Sequence, residues 1–249
     1  EEAGAIRDVI QNHLLQVASL LAMEPPGGGE PDGVRQEKTR ILQAMLPLDP
    51  REVVRGQYRG YREVAGVAPD STVETFAAVR IHLDTWRWAG VPFYIRTGKC
   101  LPVTAAEVMV ELKRPPQSVF GERLAGQCNH VRFRLSPTVE TAIAARTKTP
   151  GEMMIGREIE LLASSNVGDE MAPYERLLSD AMRGDQSLFA REDSVEAAWR
   201  VVDPVLGDRT PLQIYEPGTW GPAAADDLIA ADEGWHNPVV AAGGSGGAQ

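Results

Sequence analysis

The sequence predicts an α+β protein with a large, mostly antiparallel sheet and flanking helices. Two observations carry this prediction: helical periodicity occupies both ends of the chain, and short segments rich in β-branched and aromatic residues fill its centre. Segregation of helices from strands is typical of the α+β class, whereas regular alternation would favour a parallel sheet. With 249 residues, 43% of them hydrophobic, the chain can bury a sizeable core.

Four helices are predicted from apolar spacing and from the residues that begin and end helices. The first covers residues 3–23, which carry apolar side chains at helical spacing. Asp32 is expected to cap the second helix, Val34 to Met45. The other two helices lie near the carboxyl end, at Pro173 to Asp185 and Asp193 to Val202.

Five strands are predicted between these helices. In the segment HVRFRL, apolar residues alternate with Arg132 and Arg134, a pattern typical of a sheet with one face in water. The predicted strands are Thr75 to Leu83, Val91 to Arg96, Ala106 to Lys113, His130 to Leu135 and Val139 to Arg146.

Charge and composition exclude several classes of protein. Lys and Arg total 25 and Asp and Glu total 35, so the net charge of −10 disfavours nucleic acid as the main partner. No apolar run approaches the roughly 20 residues of a membrane-spanning helix, so no membrane partner is predicted. Cys100 and Cys128 form neither a metal motif nor a disulfide framework, which indicates a reducing cytoplasm and no metal site.

The two ends of the chain lead to different expectations. The chain begins at Glu1 in a helical pattern, without Met and without the features of a signal peptide, so we expect it to be part of a longer protein. Ala241 to Gln249 is glycine-rich and is expected to be a flexible tail. Neither a Gly-x-Gly-x-x-Gly motif nor a P-loop occurs, so no nucleotide-binding residue is assigned.

His13 is the first candidate functional residue. On a regular α-helix it would lie within about 20° of Ile6, inside the apolar stripe. It is then either a core histidine bonded to a carbonyl or a partly buried general base with a carboxylate partner. Asp8 would lie about 140° away on a regular helix, so both residues could face one ligand only if the helix is irregular. Otherwise Asp8 is a solvated acid of the first turn.

Lys99 is the second candidate. It follows a predicted strand and the turn pair Thr97-Gly98, and loops carried on a sheet are places where ligands bind. Lys99 would bind a phosphate or carboxylate as a point charge, whereas Arg96 offers a planar guanidinium that can donate two hydrogen bonds to the same group. The alternative is that both are ordinary surface charges at a strand end.

Taken together, seven strings in order resemble the C-terminal domain of glucose-6-phosphate dehydrogenases. The resemblance implies a domain over residues 1–240, which completes the substrate site and forms the oligomer interface, followed by the tail 241–249. The strings are GAIRDVIQNHLLQ, RGQY, TVETFAAVRI, RWAGVPFYIRTGK, PYERLLSDAMRGDQSLF, VEAAWRVVDP and YEPGTWGP.

The resemblance also implies residue roles. His13 corresponds to the general base that removes the C1 hydroxyl proton of glucose 6-phosphate, and Asp8 to a residue that hydrogen-bonds the sugar. Lys99 corresponds to a substrate-binding lysine. Thr104 stands where family members often have a second basic residue, which puts one sugar or phosphate contact in doubt.

The implied activity is oxidation of glucose 6-phosphate to 6-phosphoglucono-δ-lactone, the first step of the oxidative pentose phosphate pathway. NADP would be bound mainly by an N-terminal domain that this chain lacks, although the choice of NADP over NAD stays open. This chain alone is therefore expected to be inactive, and the parent to be a homodimer or tetramer formed through the large sheet. The alternative is a non-catalytic module for sugar-phosphate binding or dimerisation.

Overall fold

A computed structural model of the chain describes residues 1–28, 32–114, 116–117, 128–151, 154–164, 173–186 and 189–239. They belong to two compact units, each built from two stretches of the chain. The first unit comprises Glu1–Pro102 and Met171–Ala231, and the second comprises Val103–Glu170 and Asp232–Gln249. The predicted tail, Ala241 to Gln249, lies outside the described residues.

The first unit contains a π-helix, five α-helices and four strands among its described residues. The π-helix spans Ile6–Leu14, and the α-helices are α1 (Leu15–Ala22), α2 (Gly33–Ala44), α3 (Pro173–Arg183), α4 (Glu192–Val202) and α5 (Ala224–Ile229). The strands are β1 (Val53–Tyr58), β2 (Phe76–Ile81), β3 (Phe93–Gly98) and, late in the chain, β8 (Leu212–Tyr215).

The strands of the first unit form one sheet in the order β3-β2-β1-β8. The pairs β2–β3 and β1–β2 are antiparallel, whereas β8 pairs with β1 in parallel. The π-helix contacts both β3 and α4, and α2 packs against α1 and α4. The shared core is aliphatic and includes Ile6, Ile10, Leu15, Leu42, Met45, Val79, Ile81, Val201 and Val202. The π-helix is thus fixed by its apolar side against the sheet and the helical layer.

The second unit is built on an antiparallel sheet in the order β4-β5-β6-β7. Its strands are β4 (Ala106–Glu111), β5 (His130–Ser136), β6 (Glu140–Lys148) and β7 (Gly156–Ser164). The α+β class with mostly antiparallel sheet is therefore confirmed, with the described strands divided between two four-stranded sheets.

The prediction that the arginine face of HVRFRL lies in water is wrong. Arg132 and Arg134 are each only 9% exposed. Arg134 donates from Nε to Glu107 at 2.9 Å, and Arg132 donates from Nη2 to Glu160 at 2.6 Å. Period-two alternation identifies two different faces, but it does not say which face the rest of the chain covers.

The apolar face of this sheet carries exposed side chains on its central strands as well as at its edge. The strand register places Val131, Ile143 and Leu161 side by side, opposite in direction to the arginines. Ile143 is 50% exposed and Leu161 is 69% exposed. Contiguous apolar surface of this kind marks interaction sites.

Predictions of secondary structure are confirmed where the signal is local. All four predicted helices and five predicted strands are present, although the first helix begins in π geometry. Among the described residues, three strands and one α-helix were not predicted, because their sequences are short or lack a clear period: β1, β7, β8 and α5. Asp32 precedes α2 but makes no side-chain cap; its carboxylate binds Arg35 and Arg191 instead.

Along the described residues, no helix has the length and hydropathy needed to cross a membrane.

Candidate active site

The helix that carries His13 and Asp8 is irregular. Ile6–Leu14 is a π-helix, and the amide of Leu15 donates to the carbonyl of Ile10, five residues earlier. Hydrogen bonds of the i→i+5 type place residues five apart above one another, as residues four apart are placed in an α-helix. Short π segments occur frequently at functional sites.

Burial along this helix follows the same five-residue period. The buried positions are Ala5, Ile6, Ile10, Gln11 and Leu15, while the exposed positions are Arg7, Asp8, Asn12 and His13. Asp8 and His13 therefore share the solvent-facing side, one π-turn apart. The irregularity that would let both residues face one ligand is present.

The placement of His13 in the apolar stripe is thus wrong, because it assumed 100° of rotation per residue. His13 is exposed, and its Nε2 lies 3.4 Å from Nδ2 of Asn12. It is neither the core histidine bonded to a carbonyl nor the partly buried base that the sequence led us to expect. An exposed imidazole is free to meet a substrate hydroxyl.

Lys99 lies at the end of β3, the strand that contacts the π-helix. The prediction of a Thr97-Gly98 turn is wrong, because Thr97 pairs with Ala77 and Gly98 with Phe76 in the sheet. A Cβ at Gly98 would lie 2.7 Å from Cδ2 of Phe76. Glycine is required there for close approach to an aromatic ring. The chain bends directly after the strand, at Lys99 and Cys100, and Lys99 is exposed.

Two residues fix the backbone of Lys99. Its amide donates to the carbonyl of Thr75 at 2.8 Å, and the Tyr215 hydroxyl donates to its carbonyl at 2.7 Å. Burial raises the pKa of Tyr215 to about 12, so its hydroxyl stays a donor at neutral pH. The ammonium group of Lys99 thereby projects from a rigid backbone into solvent.

Arg96 takes a different position from Lys99. Its guanidinium lies 4.8 Å from the centroid of the Trp220 ring, in cation–π geometry. Burial lowers the pKa of Arg96 to about 10. Arg96 thus packs in the first unit beside Trp220, and Lys99 is the better candidate for binding an anion.

Thr104 belongs to the second unit, in the exposed segment just before β4. The structure brings Asp8 and His13 to one helix face and Lys99 to a neighbouring strand. Thr104 is a separate candidate, whose contact with a substrate stays a prediction.

Sequence reasoning missed the residues that hold these elements. Glu74 bonds to the π-helix, Tyr215 bonds to the Lys99 backbone, and Arg55 holds the carboxylate of Glu74. The strings RGQY and YEPGTWGP contain two of them, but their pairing is visible only in three dimensions.

Two further histidines form carboxylate pairs away from these candidates. His82 lies 2.8 Å from Glu52 in the first unit, and His236 lies 2.6 Å from Glu107 in the second. The described part of the chain contains no group of three or more His, Cys, Asp or Glu residues that could hold a metal ion.

These residues offer an exposed base, a carboxylate on the same helix face and a cation whose backbone is fixed at the end of the strand that contacts this helix. An imidazole can accept a proton near neutral pH, a carboxylate can accept hydrogen bonds from hydroxyls, and an ammonium can bind a phosphate. This combination suits proton abstraction from a hydroxyl of an anionic, polyhydroxylated small molecule.

Comparison with known proteins gives a consistent result. The family model for the glucose-6-phosphate dehydrogenase C-terminal domain matches residues 1–236. Glucose-6-phosphate 1-dehydrogenase 1 of Mycobacterium tuberculosis (strain CDC 1551 / Oshkosh) is 44% identical over 246 residues, covering 98% of this chain and 52% of the relative. The Aggregatibacter actinomycetemcomitans glucose-6-phosphate 1-dehydrogenase is 41% identical over 260 residues, covering 95% and 52%.

Solved structures show the same fold. The X-ray crystal structure of glucose-6-phosphate 1-dehydrogenase from Mycobacterium avium superposes with a TM-score of 0.87 at 44% identity, over 96% of this chain and 52% of that one. A glucose-6-phosphate dehydrogenase in complex with its substrate glucose-6-phosphate gives 0.81 at 33% identity, over 95% and 51%. The chain spans about half the length of the relatives it matches.

Proposed function

The chain belongs to the family of glucose-6-phosphate dehydrogenase C-terminal domains, and on that premise we propose that it supplies the base and the substrate-binding groups of a glucose-6-phosphate dehydrogenase. The full-length protein would oxidise glucose 6-phosphate to 6-phosphoglucono-δ-lactone, the first step of the oxidative pentose phosphate pathway. The observation that carries this proposal is the π-helix, because it puts Asp8 and His13 on one exposed face.

His13 is the proposed general base. An unprotonated ring nitrogen takes the proton of the C1 hydroxyl, and the C1–O bond becomes the carbonyl of the lactone as the C1–H electron pair leaves with its hydrogen. Oxidised NADP, when bound, would supply the acceptor for this hydride. An imidazole can accept a proton near neutral pH, which suits this task.

Asp8 and Lys99 are the proposed substrate-binding residues. The carboxylate of Asp8 would accept hydrogen bonds from sugar hydroxyls beside His13, and the ammonium of Lys99 would contact an anionic or hydroxyl oxygen of the substrate. Thr104 would supply a hydroxyl where a basic residue is common in the family. A neutral hydroxyl binds a phosphate more weakly than a cation does.

We assign the coenzyme to the half of the full-length relatives that this chain does not span. The chain contains no Gly-x-Gly-x-x-Gly sequence, and no residue in it is assigned to NADP or NAD. Two free cysteines agree with a reducing cytoplasm as the proposed location.

A homodimer or tetramer formed through the sheet of the second unit is part of the proposal. The exposed apolar face that contains Ile143 and Leu161 supports it, since isologous contact would bury the same face of both copies. The net charge of −10 supports neither nucleic acid nor an anionic membrane surface as partner.

The test is coenzyme reduction by a purified full-length protein that contains this chain. We expect the absorbance of reduced NADP to rise with glucose 6-phosphate and to stay flat with unphosphorylated glucose. This chain alone should give no reduction. Binding of glucose 6-phosphate in calorimetry without any turnover by the full-length protein would instead favour the non-catalytic module.

A further inference from the structure

The amino end of the π-helix is held by a residue far away in the sequence. Oε1 of Glu74 accepts the amide of Ile6 at 3.0 Å, and the carbonyl of Glu74 accepts the amide of Ala5 at 3.0 Å. The first amides of a helix have no carbonyl partner inside the helix. A carboxylate at this end also complements the helix dipole.

The carboxylate of Glu74 is itself fixed by Arg55. Oε2 of Glu74 accepts from Nε of Arg55 at 3.3 Å and from Nη2 at 3.2 Å. Arg55 is only 3% exposed and also donates to the carbonyls of Thr72 at 2.7 Å and Thr210 at 3.1 Å. These backbone contacts hold the guanidinium, so the carboxylate has little freedom to move.

Gly4 makes room for this carboxylate. Its φ of +73° lies in the left-handed region, and a Cβ there would lie 2.5 Å from Oε1 of Glu74. Any larger residue would both strain the backbone and displace the oxygen that Ile6 binds.

Thr75, the residue after Glu74, holds the backbone of Lys99. The carbonyl of Thr75 accepts the amide of Lys99. Glu74 and Thr75 therefore bond, as consecutive residues, to the helix that carries Asp8 and His13 and to the backbone of Lys99.

We propose that Glu74, held by Arg55, is a positioning residue that fixes the start and register of the π-helix and so aligns Asp8 and His13 with Lys99. The proposal rests on the proposed function for its catalytic consequence. Glu74 touches no substrate atom; it acts through the amide of Ile6.

The experiment compares three variants of a full-length protein that contains this chain. Gly4→Ala pushes the carboxylate away without changing any ionisable group. Glu74→Gln leaves one acceptor oxygen where two are needed. Gly66→Ala is the matched control, because Gly66 also has positive φ (+88°) but nothing lies within 4 Å of an added Cβ. Each variant is assayed for kcat and KM, and its folding is checked by circular dichroism.

We expect Gly4→Ala to lower kcat about 100-fold and Glu74→Gln about tenfold, because small misplacements of a catalytic group cost up to about 100-fold. KM for glucose 6-phosphate should change less than kcat, since the carbonyl of Thr75 still holds Lys99. Gly66→Ala should lose stability through backbone strain and keep kcat within about twofold. Equal kcat values for Gly4→Ala and Gly66→Ala would overturn the proposal.

Amide hydrogen exchange gives a readout that does not depend on activity. The amides of Ala5 and Ile6 should exchange at least about tenfold faster in Gly4→Ala and Glu74→Gln than in Gly66→Ala. Unchanged exchange in the first two variants would also overturn the proposal. If the wild-type protein fails to oxidise glucose 6-phosphate, the proposed function fails, while the exchange rates still decide whether Glu74 fixes the helix.

Discussion

Asp8 and His13 share one exposed face of the π-helix because five residues complete about one turn of i→i+5 hydrogen bonds. On a regular α-helix the same two residues would diverge by about 140°. This relationship turns two separate polar residues into a pair that can face one substrate.

Replacing His13 tests the general base. In the full-length protein, His13→Asn should lower kcat by roughly 10²- to 10⁴-fold and leave KM for glucose 6-phosphate nearly unchanged, because a proton acceptor is lost while binding groups remain. Steady-state kinetics measure both constants. His82→Asn is the control, since His82 pairs with Glu52 instead. Equal kcat in the two variants would exclude His13 as the base.

Replacing Lys99 tests substrate binding. Lys99→Met keeps most of the side-chain length and removes the charge, so KM for glucose 6-phosphate should rise by about tenfold or more, since hydrogen bonds to charged groups contribute about 1.5–3 kcal/mol. Lys113→Met removes an exposed charge from the second unit and should leave KM as it is. A KM that does not respond to Lys99→Met would remove Lys99 from the site.

Thr104→Lys tests the position at which this sequence departs from the family pattern. Restoring a cation should lower KM for glucose 6-phosphate about tenfold, which corresponds to one charge-assisted hydrogen bond of about 1.4 kcal/mol. The charge-neutral change Thr104→Met controls for side-chain length. If lysine and methionine give the same KM, residue 104 does not contact the substrate.

Substitutions of Leu161 and Leu162 test the proposed oligomer. Leu161 lies on the apolar face of β7 and Leu162 on the opposite face, and both are exposed. Leu161→Glu should raise the dimer dissociation constant about 100-fold or more, because like charges juxtaposed across an interface cost several kcal/mol. Sedimentation velocity measures the association state. Leu162→Glu carries the same charge and should remain associated; dissociation of both variants, or of neither, contradicts an interface on this face.

The Glu107 cluster predicts a pH-dependent stability. Burial raises the pKa of Glu107, but hydrogen bonds from Arg134 and His236 outweigh burial, and the net pKa lies below the ordinary 4.5. A lowered folded-state pKa stabilises the protein above the unfolded value, and this contribution is lost as pH falls from about 4.5 through the lowered folded-state value. Glu107→Gln should therefore reduce stability at pH 7 by about 1.5–3 kcal/mol, because it removes the charged acceptor that Arg132, Arg134 and His236 share.

Urea unfolding at a series of pH values measures this effect. The difference in the free energy of unfolding between wild type and Glu107→Gln should shrink as the solution is acidified below about pH 4.5. Glu63→Gln, at an exposed position, should show no such difference. If this difference in unfolding free energy stays constant down to strongly acidic pH, the charge of Glu107 does not stabilise the sheet.

The sequence by itself determined the types of most elements and the α+β class. Turn residues and prolines delimit α2, α3 and α4, and β-branched runs identify β2 to β6, because these signals act within a few residues of chain. The spacing of Ala5, Ile10 and Leu15 also contains the five-residue period of the π-helix. The 100° rotation per residue of a regular α-helix does not match that period.

Only the tertiary structure decided which groups meet. Glu74 binds the amide of Ile6 across 68 positions of sequence, and Tyr215 binds the carbonyl of Lys99 across 116. The burial of Arg132 and Arg134 likewise depends on carboxylates supplied by other strands. Local periodicity indicates which side chains share a face of a helix or strand. The partners that cover a face, or that fix the register of a helix, come from distant segments of the chain that meet only on folding.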